Sequence, residues 1–537
     1  MKKIFLSIAL LCAASWVAPT VATAQNLVPI PLKMASAQGQ PLVWQNVGQI
    51  NCPDELANEK AHLLRILADR AGITTLNDNG TAQITLSIDT SLNDDEAYTL
   101  SIDENGVNIA GKTAAGVFYG IMTTEQLMID DNASARCIET NPITIEDAPR
   151  THVRELMVDP CRIFVPYERL KEIVPEMARY KLNSIHLHLV DDQAWRIEIK
   201  KYPQLIEKST SRVGMDDMLI PISGYYTQEQ MKDFVKYCAQ YHVMVVPEIE
   251  MPGHEVAAVH AFPELTCGGK QVPIRTTCGV SNELLCPGNE FTYEFLGNVF
   301  RELADVFPCK YVHLGGDEAG NPALDCWTTC EKDKALKKKL GITTTDRSEN
   351  WKLQKYMFDR IIDTLRTKYD KVPMFWYETD FKEIQEGCVT FAWRNGLTEP
   401  AVQAAIDNNA KIMMCPGDYC YFDYPMASGD MPEVNWGMPV RTFETVYQFD
   451  PGWGKGEEFE KNNLFGVAGT LWSESINSPE RIFYQAYPRS LILAEAGWSA
   501  QKNRSWKGFL KRSRPLMLDL QHRGITFSMP TEYIDLQ

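Results

Sequence analysis

From about residue 150 the chain falls into a rhythm that few folds accommodate: eight short, almost uniformly apolar runs, each separated from the next by a longer stretch. The runs are "VRELMVD" (153–159), "SIHLHLVDD" (184–192), "VMVVPEIE" (243–250), "YVHLGGDE" (311–318), "VPMFWYE" (372–378), "VTFAWR" (389–394), "KIMMCP" (411–416) and "FGVAGTLWSE" (465–474). A strand with one face in water alternates apolar and polar residues. These runs do not, so they predict parallel strands covered on both faces. Between them, "PYERLKEIVPEMARYK", "TQEQMKDFVKYCAQYH", "NEFTYEFLGNVFRELADVF" and "SENWKLQKYMFDRIIDTLRTKYD" carry apolar residues at helical spacing. Eight strands alternating with helices predict an α/β fold, a (β/α)8 TIM barrel over residues 148–537 that "SPERIFYQAYPRSLILAEAGW" closes. The sixth and seventh connections show no clear helical pattern.

Residues 25–147 predict a separate, small α+β domain ahead of the barrel. "ANEKAHLLRILADRAG" has helical periodicity and a terminal glycine, whereas "AQITLSID" and "EAYTLSIDENGVNIAG" alternate like half-buried strands around an Asn-Gly turn. No cluster of chemically active residues occurs there.

A barrel places its active site at the C-terminal ends of its strands. The ends of these runs hold Asp159, Asp191, Asp192, Glu248, Glu250, Asp317, Glu318, Trp376, Glu378, Trp393, Arg394, Trp472 and Glu474. One site fed by many strands explains that concentration. Acids with tryptophans point to sugar: aromatic faces stack on pyranose rings and carboxylates accept hydrogen bonds from hydroxyls. In "VHLGGDEAG" (312–320), Asp317 and Glu318 are adjacent behind two glycines. Confined together they repel, so one keeps its proton near neutral pH and can act as a general acid. The glycines are expected to let the backbone approach substrate closely.

"HLGGDE", with "HLHLVDDQAWRIEI" (186–199), "VVPEIEMPGH" (245–254), "GYYTQEQM" (224–231) and "LWSE" (471–474), resembles family 20 glycoside hydrolases, the β-N-acetylhexosaminidases. The likeness runs from about residue 95 to 500, with "EAYTLSIDENGVNIAGKTAAGVFYGIMTTEQLM" resembling the end of that family's small N-terminal domain. It implies exo-acting removal of terminal, non-reducing β-linked N-acetylglucosamine or N-acetylgalactosamine from a glycan. In this family the substrate's 2-acetamido oxygen, not an enzyme carboxylate, attacks the anomeric carbon.

The resemblance assigns roles residue by residue. Glu318 is the implied acid/base, Asp317 orients the acetamido group, and Tyr421 holds its oxygen. Asp191 and His254 form a relay to the acid. Arg154 resembles the arginine that grips ring hydroxyls, Asp423 and Glu474 resemble hydroxyl-binding acids, Trp376, Trp393 and Trp472 wall the acetamido pocket, and Trp436 stacks on the aglycone. No cofactor and no metal are implied. Glu155 stands where the family usually has glycine after the arginine, and Ile163 where a histidine is common.

Residues 1–24 show a Lys2-Lys3 start, the apolar run "IFLSIALLCAASWV" and "ATA" before position 25. This is the layout of a secretory signal peptide, implying export to a periplasm or beyond and no membrane insertion of the mature chain. Its removal takes away two lysines and no acid, so the formal charge goes from −17 to −19. Such an acidic chain is unsuited to nucleic acid. Of 14 cysteines, all but Cys12 lie beyond the signal. Cys267, Cys278, Cys286 and "CWTTC" (326–330) are expected to staple loops as disulfides, a zinc site being the alternative.

Two rival readings remain at this stage. His186, His188, His254, His313 and Asp317 would make a ligand set for a metal-dependent hydrolase. The same fold also serves non-catalytic carbohydrate-binding proteins.

Overall fold

The computed structural model describes residues 26–129, 137–215, 218–319, 326–345, 347–378, 383–430 and 437–536. The expected signal segment and Trp436 lie outside them.

The N-terminal unit is a six-stranded sheet. Its strands are β1 (Lys33–Ser36), β2 (Val47–Asn51), β3 (Ala82–Ile88), β4 (Tyr98–Asp103), β5 (Gly106–Gly111) and β6 (Ile143–Asp147), in the spatial order β1-β6-β4-β5-β3-β2. The helix expected from "ANEKAHLLRILADRAG" spans Ala57–Ile66, continues in a wider turn to Ala71 and stops at Gly72 in the left-handed region. A second helix, Ala114–Leu127, is buried along most of its length.

The barrel strands are β7 (Val153–Val158), β8 (Ser184–His188), β9 (Met244–Glu248), β10 (Tyr311–His313), β11 (Val372–Trp376), β12 (Val389–Ala392), β13 (Lys411–Met414) and β14 (Leu464–Leu471). Each coincides with one of the eight apolar runs, β14 beginning one residue ahead of its run at Leu464. All pair in parallel, and β14 closes the ring on β7 with Gly466 opposite Val153 and Leu471 opposite Val158. The four expected helices form as Tyr167–Arg179, Gln228–Ala239, Glu290–Val306 and Trp351–Tyr369. Gln228–Ala239 opens with a capping box between Thr227 and Gln230. The sixth connection does contain a helix, Thr398–Asp407, and the described residues of the seventh hold three short ones. The closing segment is two helices, Pro479–Ala486 and Arg489–Trp498, interrupted at Pro488, where proline cannot continue the ladder.

Buried ion pairs join the two units. Lys181 Nζ lies 3.0 Å from Asp147 Oδ2, and Arg154 Nη2 lies 2.8 Å from Glu96 Oε2. Inside the barrel Glu248 collects hydrogen bonds on both oxygens. His188 Nδ1 approaches Oε2 at 2.6 Å, while His313 Nδ1 (2.8 Å) and the Trp376 indole N–H (2.7 Å) meet Oε1. His186 Nδ1 faces Glu155 Oε1 at 3.1 Å. The Nδ1 atoms of the barrel histidines thus face carboxylates, and Glu248 fixes the Trp376 ring, while Nε2 of His186 and of His313 is buried without a hydrogen-bond partner among the described residues.

Candidate active site

At the C-terminal mouth of the barrel a cavity of about 530 Å³ opens among Asp191, Glu250, Asp317, Glu318, Asp423 and Glu474 on its polar side and Trp376, Trp393, Tyr421 and Trp472 on its aromatic side. Strand ends deliver most of them: β8 leads to Asp191, β9 to Glu250, β10 to the acid pair, and β11, β12 and β14 to the three tryptophans. The Trp393 and Tyr421 rings lie nearly parallel, 8° apart with centroids separated by 6.4 Å, and Trp472 meets Tyr421 at 6.3 Å and Trp376 at 5.8 Å. Together they form one apolar wall.

Glu318 of the acid pair and the histidine beside it sit on strained backbone. Glu318 has φ +58° and His254 φ +54°, conformations that side chains beyond Cβ rarely adopt and that persist where surrounding structure over-determines them. The two preceding glycines serve packing rather than the approach of substrate. A Cβ on Gly315 would stand 1.6 Å from Glu250 Oε2, and one on Gly316 2.8 Å from the Phe358 ring.

His254 stands between the acids. Its Nδ1 is 3.3 Å from Asp191 Oδ1, and its Nε2 is 3.4 Å from Glu318 Oε2 and 3.5 Å from Asp317 Oδ2. Burial opposes a charged imidazole, but the carboxylates of Asp191 and Asp317 outweigh it and hold His254 protonated well above its ordinary range. For Asp317, burial raises the pKa against the pull of His254. For Glu318, burial is overcome by the hydrogen bond and charge of His254 and by Arg394, so its carboxyl is held below the usual range. Adjacency therefore does part the two acids, but their surroundings push Asp317 toward its protonated form and the expected acid, Glu318, toward its ionised one.

Arg154 does not reach the cavity. It is the second residue of β7, at the N-terminal end of the strand, and its guanidinium donates to Lys181 O at 2.6 Å and Thr151 O at 2.8 Å besides pairing with Glu96. The arginine in the cavity is Arg162, just beyond the C-terminal end of β7. It lies 2.7 Å from Asp191 Oδ2, 3.1 Å from Asp159 Oδ2 and 3.8 Å from Glu474 Oε1. Its neighbour Ile163 packs with Met215 and Ile222. Glu155, read as a departure beside the supposed sugar arginine, is an interior barrel residue that accepts from Ser184 Oγ at 2.7 Å.

Three further strand-end residues, to which the family resemblance assigns no role, belong to the site. Arg394 pairs with Glu318 Oε1 at 3.1 Å and Glu378 Oε2 at 3.2 Å and lies over Trp393. Glu378 Oε1 accepts the Glu318 backbone N–H at 3.0 Å, and burial pushes its own carboxyl up to about 7. Glu250 is raised by burial and by the charge of Asp317. Among the described residues, Asp317 Oδ1 and Asp423 Oδ1 are buried without a hydrogen-bond partner. Each lies on a residue that lines the cavity, where a ligand hydroxyl or amide can satisfy it.

A (β/α)8 barrel whose mouth combines paired carboxylates with an aromatic wall defines a glycoside hydrolase, and comparison with known proteins narrows the class. The profile described as "Glycosyl hydrolase family 20, catalytic domain" matches residues 152–501, and "Glycosyl hydrolase family 20, domain 2" matches residues 24–148. The beta-hexosaminidase of Akkermansia muciniphila is 35% identical over 460 residues, covering 85% of this chain and 87% of that one. The beta-hexosaminidase of Porphyromonas gingivalis is 32% identical, covering 94% and 64%. Among solved structures, the exo β-N-acetylglucosaminidase of Vibrio harveyi in complex with N-acetylglucosamine superposes with a TM-score of 0.81 at 28% identity, covering 96% of this chain and 80% of that one. The N-acetyl-β-hexosaminidase of Streptomyces plicatus gives 0.81 at 28% identity, covering 96% and 98%. The chain belongs to glycosyl hydrolase family 20, and the protein is a glycoside hydrolase.

Proposed function

We propose that the protein is an exo-acting β-N-acetylhexosaminidase that removes terminal non-reducing N-acetylglucosamine or N-acetylgalactosamine with retention, the substrate's own acetamido oxygen acting as nucleophile. The observation that carries this reading is the placing of Asp317, with its buried unpartnered Oδ1, in a cavity whose other wall is Trp376, Trp393, Tyr421 and Trp472. An apolar pouch beside a carboxylate suits an acetamide: the methyl packs on rings, the N–H donates to Asp317, and the Tyr421 hydroxyl meets the oxygen. As the acetamido oxygen attacks the anomeric carbon, positive charge grows on the amide, and an ionised Asp317 stabilises it. Glu318 gives its proton to the departing glycosidic oxygen and later takes one from water. His254, tied to Asp191, trims the charge on both acids.

Arg162 takes the role first given to Arg154. Surrounded by Asp159, Asp191 and Glu474, it grips ring hydroxyls together with Asp423 and Glu474. A site that holds those hydroxyls requires a free non-reducing end. Trp436 is kept as the aglycone platform on sequence grounds. Residues 1–24 are read as a cleaved signal peptide that exports the enzyme, and among the described residues no helix is long and apolar enough to cross a membrane.

The test is release of 4-nitrophenol from the β-glycosides of N-acetylglucosamine, N-acetylgalactosamine and glucose. Cleavage of the two N-acetyl substrates with none of the glucoside supports substrate assistance. Equal cleavage of the glucoside refutes it, and so does a stable covalent glycosyl-enzyme trapped on any carboxylate.

A further inference from the structure

Away from the cavity, four of the cysteines meet at one point. Cys267 and Cys286 bracket the loop that brings Cys278, Gly279 and Val280 to the cavity wall. Cys326 opens a one-turn helix, Cys326–Thr329, that follows the acid pair, and Cys330 comes immediately after it. The sulfur atoms of Cys286 and Cys330 are 3.7 Å apart. Cys267 Sγ lies 2.9 Å from Asp333 Oδ2, and Cys286 Sγ 3.4 Å from Asp333 Oδ1. One donor atom from each of Cys267, Cys286, Cys330 and Asp333 falls within 4.8 Å of all the others. Cys326 touches the sulfur of Cys267 from the side. Cys278 is elsewhere, packed against Ile163, Met215 and Ile222.

Three sulfurs and a carboxylate gathered this closely have the make-up of a coordination shell. A disulfide joins two sulfurs at about 2.04 Å, and each sulfur then has one partner. Here Cys267 adjoins Cys286, Cys326 and Cys330 together. Sulfur ligands about 2.3 Å from a tetrahedral zinc ion lie about 3.8 Å from each other, which is the Cys286 to Cys330 separation. Asp333 has no exposed surface; its Oδ1 accepts the Gly288 N–H at 2.7 Å, and its remaining lone pairs face the sulfurs, where a cation bridging carboxylate and thiolates fits. Thiolates with one carboxylate in a tetrahedral arrangement favour zinc over calcium or magnesium, which take oxygen ligands.

We propose that Cys267, Cys286, Cys330 and Asp333 bind one structural zinc ion, with the Cys326 thiol donating a hydrogen bond to the sulfur of Cys267. Binding releases the three thiol protons to solvent and involves no change of oxidation state. Its place in the fold gives it a purpose. The ion clasps the 268–285 loop to the segment after Glu318, beside a small satellite core of Leu284, Ala319, Trp327 and Leu336, and so holds one side of the cavity rim. The site is independent of the hexosaminidase reading.

The experiment is metal analysis of the full exported chain, purified without chelator, with thiols counted before and after denaturation. The expected result is about one zinc per chain, retained in Cys52→Ser and reduced at least tenfold in the double variant Cys286→Ser with Cys330→Ser. Protein isolated without metal is reduced and titrated with zinc, and it takes up about one equivalent with proton release. Because the double variant removes two buried groups, Asp333→Asn provides a near-isosteric check: it folds with native circular dichroism and binds zinc at least about tenfold more weakly. Two results overturn the proposal. One is peptide mapping that finds the four cysteines joined as disulfides. The other is a reduced wild-type chain that binds zinc no more tightly than the Asp333 variant.

Discussion

Replacing Arg394 with glutamine removes the cation that lies 3.1 Å from Glu318 Oε1 and 3.2 Å from Glu378 Oε2. Two unit charges about 4 Å apart at an effective dielectric of about 20 interact by roughly 4 kcal/mol. The Arg394 and Glu318 side chains are 36% and 27% exposed, so water screens them. Pairs of that kind are worth at most about 1 kcal/mol. The sign follows from the charge: Arg394 favours ionised Glu318, and removing it raises the pKa of the acid. On the alkaline side of that pKa, about 1 kcal/mol multiplies the protonated fraction by about five. The parameter to follow is kcat/KM against pH, which reports the free enzyme. The substrate is N,N′-diacetylchitobiose, whose leaving sugar hydroxyl needs a proton. The alkaline limb moves to higher pH in Arg394→Gln, and kcat/KM on that limb rises by up to about fivefold. With the 4-nitrophenyl glycoside, whose leaving group needs little help, the rise is smaller. An alkaline limb that stays in place, or moves to lower pH, refutes the assignment of Glu318 as the acid restrained by Arg394.

Three more outcomes follow from the same geometry. Glu318→Gln lowers kcat on diacetylchitobiose by about 10² to 10⁴, and by much less in the glycosylation step of the 4-nitrophenyl substrate, as burst kinetics would reveal. Asp317→Asn keeps the shape of the site but loses the charge facing the acetamide, lowering kcat by about 10² to 10³ with KM little changed. Arg162 and Arg154 separate cleanly. Arg162→Lys gives up charged hydrogen bonds worth about 1.5 to 3 kcal/mol and raises KM by roughly ten- to a hundredfold, whereas Arg154→Met leaves KM alone. The latter strands Glu96 at the domain junction and lowers stability by about 3 kcal/mol in thermal or denaturant unfolding.

The two arginines also mark where the sequence is legible. Every barrel strand matches a run of uniform apolarity to within one residue, because burial on both faces leaves a signature in neighbouring residues alone. The cavity was legible for a related reason: most residues that line it stand just past the ends of those runs, as barrel topology requires. Arg154 breaks that rule. It is the second residue of its run, so the rule already places it at the wrong end, and Arg162 at the right one. Resemblance of a short motif overrode position. The pairing of Arg394 with Glu318, and the convergence of Cys267 and Cys286 with Cys330 and Asp333, join segments that are 44 to 76 residues apart. Spacing along the chain carries no trace of such contacts, because they depend on how loops fold over the barrel mouth.

The acid pair takes the argument one step further. Adjacency alone says that Asp317 and Glu318 share a proton unevenly; it is their neighbours that decide which holds it. In the free enzyme burial favours a proton on Asp317, while His254 and Arg394 draw Glu318 toward its ionised form. The proposed chemistry needs the reverse, an ionised Asp317 under the acetamide and a protonated Glu318 under the glycosidic oxygen. Substrate supplies both changes. An acetamide N–H donating to Asp317 stabilises its charge, and an aglycone lying over Glu318 excludes the water that now solvates it, which raises its pKa. His254, within 3.5 Å of both carboxylates, is placed to carry the proton across. On the proposed mechanism only a ligand with an acetamide in the pouch and a sugar on the rim sets the pair in its working state. On this account a substrate without the acetamido group fails twice: it brings no nucleophile, and it offers Asp317 no N–H to favour its charge.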